Sequence, residues 1–125
     1  MNQTIILTSA IIIILWGIAH VIPTSNVVKG FGELSVNNKL IIKMEWVAEG
    51  LALIFIGALV LILNCVSDRE VYEVRLVNIM CGVMLLIMAV WTALTGARTR
   101  IIPIKICPVI KTICGLAFIF TSTNF

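Results

Sequence analysis

The chain has 125 residues, 61% of them hydrophobic and 12% charged, with a net charge of +3. A soluble domain carries about 25% charged residues, so the composition excludes an ordinary water-exposed globule and leaves lipid as the main solvent. The modest, dispersed positive charge gives no footprint for nucleic acid.

Four apolar segments follow along the chain, roughly 4–22, 41–63, 74–97 and 103–122. Each is near the ~20 residues that a spanning helix needs. They predict an all-α membrane protein, a four-transmembrane-helix antiparallel bundle that fills residues 1–125 as one domain. The first segment does not read as a signal peptide. Met1–Gln3 carries no Lys or Arg, and the apolar stretch Ile5–Ala19 is at least as long as a typical h-region. Pro23 ends this helix, and the connection Thr24–Asn38 holds Gly30, Gly32, Asn37 and Asn38, all turn formers. Its apolar residues Val27, Val28, Phe31 and Leu34 fit a stretch lying flat in the interface.

The second helix cannot be completed without charge. After Glu49 the uncharged run is Gly50–Leu63, which at ~1.5 Å per residue covers roughly 21 Å of a hydrocarbon core about 30 Å thick. The helix therefore carries Glu49, and also Glu45 near its start. The fourth helix meets the same constraint at Lys111, which only Thr112–Phe125 follow. Ionisable groups in a membrane are expensive and mark pairing or function. Counted from helix starts at Ile41 and Pro103, Glu49 and Lys111 lie at similar depth, ~12 Å in. This predicts a buried Glu49–Lys111 ion pair and a shallower Glu45–Lys105 pair.

Alternating helix directions bring the end of helix one, the start of two, the end of three and the start of four to one face. That face collects Lys29, Lys39, Lys43, Arg98, Arg100, Lys105 and Lys111 against Glu33, Glu45 and Glu49. The other carries Arg69 and Arg75 against Asp68, Glu70 and Glu73. By the positive-inside rule the crowded face is cytoplasmic and both termini lie outside. Alanines at four-residue spacing, Ala48 and Ala52, then Ala89, Ala93 and Ala97, would let helices approach closely.

The crowded half also gathers the candidate pocket residues Trp16, His20, Glu45, Trp46, Glu49, Trp91, Arg98 and Cys107. Imidazole and carboxylate can handle protons. The tryptophans form either an interfacial belt or an aromatic wall for a flat apolar ligand such as a quinone, sterol or isoprenoid. His20, Glu45, Glu49 and Cys107 have metal-ligand chemistry, but no spacing motif supports a metal site. The four cysteines form no CxxC and read as small apolar residues.

Three segments carry a family resemblance. Met44-Glu45-Trp46-Val47-Ala48-Glu49-Gly50-Leu51-Ala52-Leu53 resembles the glutamate-plus-small-residue opening of helix two in DoxX-like proteins, small four-helix prokaryotic membrane proteins. Leu15-Trp16-Gly17-Ile18-Ala19-His20 is similar to that family's glycine-centred first span, and Ala89–Arg98 to its apolar-to-basic third exit. Lys105-Ile106-Cys107-Pro108 departs from the pattern. The resemblance implies a prokaryotic cell-membrane location and, through members linked to quinone-coupled oxidation of sulfur compounds or to oxidative-stress complexes, a quinone connection. It carries over to Glu45 or Glu49 alone, without choosing between them. A vitamin K epoxide reductase-like enzyme would need the missing CxxC. The function expected from the chain is binding of an apolar or amphipathic small molecule in a polar intramembrane pocket. The alternatives are a quinone-linked oxidoreductase component and a structural or assembly subunit, with homo-oligomerisation open.

Overall fold

The computed structural model describes residues 2–68 and 71–123. Its elements are α1 (Asn2–Val21), α2 (Thr24–Gly30), α3 (Val36–Val66), α4 (Tyr72–Leu94), a 3-10 turn over Gly96–Arg98, and α5 (Ile102–Thr123). Among the described residues there is no strand. The spans α1, α3, α4 with its 3-10 extension, and α5 are each long and apolar enough to cross a membrane. The protein is an all-α bundle of membrane type.

The helix limits differ from the hydropathy segments in two informative places. Helix α3 begins at Val36, five residues before the apolar segment, because Ser35 caps it by accepting a hydrogen bond from the Asn38 backbone N–H at 3.2 Å. Its 31 residues run to about 46 Å, well beyond a hydrocarbon core. The first turns, with Asn37, Asn38, Lys39 and Lys43, are thus helical but polar, which hydropathy alone cannot see. Helix α4 stops at Leu94 rather than Ala97. The Thr95 hydroxyl donates back to the Trp91 carbonyl at 2.7 Å, and the chain tightens into the 3-10 turn at Gly96. Between α1 and α3 the expected connection contains α2, which buries Val28 against the bundle. The charges at 69 and 70 lie outside the described residues.

In each spanning helix the buried positions recur at three and four residues, the spacing of one helical face. They are Ile6, Ala10, Ile13 and Gly17 in α1, and Gly50, Leu53, Ile56, Val60 and Asn64 in α3. In α4 they are Asn78, Cys81, Leu85, Ala89 and Thr92, and in α5 Cys107, Lys111, Cys114 and Phe118. The outward positions are equally apolar, including Leu15, Phe55, Met84, Ile113 and Phe120. A helix apolar all round with only one face buried by protein has lipid on the other.

The helices form two antiparallel hairpins, α1 with α3 and α4 with α5, joined mainly through α1 and α5. Glycines, rather than the alanine rows, make the closest approaches. A Cβ on Gly17 would stand 2.7 Å from the Gly50 carbonyl oxygen, and one on Gly82 would stand 2.7 Å from that of Gly115. Ala48 and Ala93 face outward. Helices α3 and α4 touch little, except at the end away from the crowded face. There Asn64 and Asn78, both buried, exchange two amide hydrogen bonds of 3.0 and 3.2 Å. Toward the crowded face the two helices part.

These contacts predict a graded cost for filling the glycines. Gly82→Ala pushes a methyl into backbone of the opposite helix and should cost about 1–3 kcal/mol, the usual penalty for overpacking. Gly30→Ala, where nothing lies within 4 Å, should be neutral. Unfolding titrations in mixed micelles compare them, and equal stability of the two variants would contradict the crossing geometry.

Candidate functional site

Lys111 is the largest side chain that the bundle encloses completely. It falls on the core stripe of α5, between Cys107 and Cys114, with no route for snorkelling. Its ammonium contacts Glu49 Oε1 on α3 and donates to Thr92 Oγ1 on α4 at 2.8 Å. Thr92 in turn donates to the Met88 carbonyl at 2.8 Å, so its hydroxyl is oriented as an acceptor for Lys111. One buried cation thereby ties three helices.

Glu49 divides its carboxylate. Oε1 is committed to Lys111, while Oε2 lies 3.7 Å from His20 Nε2 on α1. That separation is too long for a hydrogen bond. The His20 ring is fixed independently. It stacks on Trp46 with ring centroids 4.0 Å apart and planes 13° apart. The Trp46 indole N–H donates to the His20 carbonyl at 2.7 Å. That carbonyl belongs to the last turn of α1, where no intrahelical donor remains. Gly50 makes room for the close approach of α1 and α3 at this junction, because a Cβ there would run into the Val21 side chain and lie 3.1 Å from the Gly17 carbonyl oxygen. His20 Nε2 is enclosed and makes no hydrogen bond.

Beside this junction, where α3 and α4 part, lies a half-open cleft of about 1200 Å³. Its floor is α1 and α5, and its far end is closed by residues of α2 and of the segment after the 3-10 turn. Trp16, His20, Glu45, Trp46, Glu49, Trp91 and Cys107 all line it. Arg98 does not; it sits exposed on the 3-10 turn. All three tryptophans of the chain thus face one cavity. Trp16 and Trp46 turn inward, Trp16 donating its indole N–H to Cys107 Sγ at 3.3 Å, while Trp91 stays 69% exposed at the rim.

The second expected ion pair does not form. Glu45 and Lys105 are both exposed, and among the described residues neither takes part in a salt bridge. The reason is angular. Glu45 and Glu49 are four residues apart and share a face, but Lys105 precedes Lys111 by six, which at ~100° per residue turns it about 120° away. The candidate metal ligands do not converge either. Among the described residues no three His, Cys, Asp or Glu side chains are placed to hold a metal ion. The described cysteines are all free, with Cys81 and Cys114 inside the apolar core.

Sequence reasoning gave Thr92 no part in the pair, and it overlooked the Asn64–Asn78 clasp. The signal for the clasp was an asparagine on each of two core stripes, at positions equivalent in depth. No family model, curated protein or solved structure matches this chain.

The ion pair has a measurable signature. Lys111→Met leaves Glu49 without its cation, and Glu49→Gln leaves a fully buried ammonium; the latter should cost about 3–5 kcal/mol. The double variant should recover most of that loss, because an apolar side chain beside a neutral amide leaves no buried charge. Strict additivity in the double-mutant cycle would contradict a direct pair.

Proposed function

We propose that this membrane protein binds an apolar or amphipathic small molecule in the cleft between α3 and α4. The carrying observation is the cleft itself. It is about 1200 Å³ in volume, somewhat above the usual size of cavities that hold small ligands, and it combines three tryptophans with one compact polar patch. Apolar walls with a few convergent polar groups are the usual composition of such a site. The walls supply burial and the Glu49–His20 patch supplies orientation. The mouth lies between two lipid-facing helices, so the molecule enters sideways from the bilayer. Quinones, sterols and isoprenoids have the required flatness and apolarity.

The same proposal takes the DoxX-like resemblance as kinship, a prokaryotic cell membrane as the setting and the Lys- and Arg-rich face as cytoplasmic. For the orientation, the support is the clustering of exposed Lys29, Lys39, Lys43, Arg98, Arg100 and Lys105 at one end of the bundle; the kinship and the setting rest on the sequence resemblance alone.

A second reading, a quinone-linked oxidoreductase component, is favoured by one observation: an imidazole on α1 and a carboxylate on α3, both lining the cleft, stand 3.7 Å apart, where they could relay protons to a reducible ring. It requires that Glu49→Gln abolish turnover in a variant that still folds.

Native mass spectrometry of the gently extracted protein tests the binding reading. A reproducible apolar adduct is expected. Ala48→Trp, which adds bulk to an exposed residue on the cleft wall, should lose the adduct and keep the wild-type melting temperature. A protein free of small molecules, with tryptophan emission unmoved by any isoprenoid or quinone added to the membrane, would overturn the reading.

A further inference from the structure

Charge is sorted by sign around the cleft, and this restricts the head group of its occupant, provided that the binding reading above holds. We infer that the ligand is an amphipathic cation, an apolar body ending in an ammonium or quaternary ammonium group, with the positive head held beside Glu45 and the indole rings.

Two carboxylates line the cleft, Glu45 and Glu49, and among the described residues no Lys or Arg does. The cleft nevertheless opens at the end of the bundle where the cations gather. The sorting is angular. On α3, Lys43 precedes Glu45 by two residues, which places it about 160° round the helix. On α5, Ile104 and Ile106 line the cleft, while Lys105 between them is exposed elsewhere. Before α5, Thr99 and Ile101 line it, and Arg98 and Arg100, which alternate with them, do not. Lys111 already offsets the charge of Glu49. Glu45 is exposed and, among the described residues, takes part in no salt bridge. The uncompensated charge on the cleft wall is therefore that of Glu45.

The aromatic rings complete a site for a cation. Trp46 follows Glu45 on α3, and Trp91 lines the opposite wall on α4 with 69% of its surface exposed. An indole face attracts positive charge through its quadrupole, more strongly than the other aromatic rings, and aromatic walls recognise quaternary ammonium groups in this way. An anionic head would meet two carboxylates with no cation on the wall to receive it. A neutral head would leave the Glu45 charge unanswered. Glu45 also stands one helical turn, ~6 Å, nearer the crowded face than Glu49. A head placed there stays toward the membrane surface, while the apolar body runs inward past Ile87 and Met88.

The test compares geranylgeranyltrimethylammonium with its carbon isostere, in which an uncharged carbon replaces the nitrogen. The two share chain and shape and differ in charge alone. Each is titrated into the full chain in uncharged maltoside micelles while tryptophan emission is followed. Affinity is taken per mole fraction in the micelle, which removes unequal partitioning. All three tryptophans line the cleft, so the signal reports on this site. The cation is expected to bind about tenfold more tightly than the isostere, the joint scale of a partly exposed charge pair and one cation–π contact. Glu45→Gln should cut that ratio several-fold. Glu33→Gln, which removes the same charge from the same end of the bundle but outside the cleft, should keep it. Equal or weaker binding of the cation in the wild type would overturn the charge assignment and leave the cleft as an apolar site. No response to either compound would overturn the assignment and the binding reading together. A ratio that survives Glu45→Gln would overturn the assignment by removing Glu45 from the recognition. An equal fall in both variants would overturn it by tracing the preference to the potential of the whole bundle end.

Discussion

A charge that cannot reach water governs this bundle. Lys111 is fully enclosed, and moving an unpaired ammonium into such a place costs several kcal/mol even after relaxation. The fold meets that cost with a carboxylate from α3 and a hydroxyl from α4. Because the two partners come from different hairpins, the pair fixes how the hairpins sit against each other. Glycine contacts hold each hairpin internally, but they leave the rotation of one against the other open. A charged pair at one depth does not, since sliding either helix by a turn would strand both ions in hydrocarbon.

The cleft follows from the same constraint. Helices α3 and α4 are clasped at one end by Asn64 and Asn78 and linked through Lys111 near the other. Between the pair and the crowded face the two helices part, and the rings of Trp16, Trp46 and Trp91 line the space left between them. The carboxylate that neutralises Lys111 is therefore also the carboxylate that faces the cleft. Under the binding reading proposed above, a structural and a recognition role meet in Glu49.

Much of the bundle was legible in the sequence because lipid imposes a simple rule. Every span must be about 20 apolar residues long, and Pro23 and the charged residues between the apolar segments punctuate the chain. Glu49 and Lys111 were legible as intramembrane charges because the uncharged runs beside them are too short to span alone. The angular relations were harder to read. Depth along an axis placed Glu45 near Lys105, but six residues between Lys105 and Lys111 turn the former away from the core. The polar start of α3 was missed because hydropathy ends at the membrane while the helix, capped by Ser35, does not. The glycine crossings were obscured by more regular alanine rows: a periodic stripe states that helices can approach, whereas which partner they meet depends on the fold. The asparagine clasp and the His20–Trp46 stack join residues 14 and 26 apart in the chain, a relation that no local pattern encodes.

The account turns on Lys111 being a charged ammonium held by Glu49 inside the bundle. Solid-state NMR of the lysine- and glutamate-labelled protein in bilayers observes this directly, through the Lys111 Nζ shift and its correlation to the Glu49 carboxyl carbon. An ammonium shift, protected from solvent exchange and correlated with an ionised Glu49 carboxylate, is the predicted result. A neutral amine, or an exchanging ammonium with no Glu49 correlation, would contradict the account.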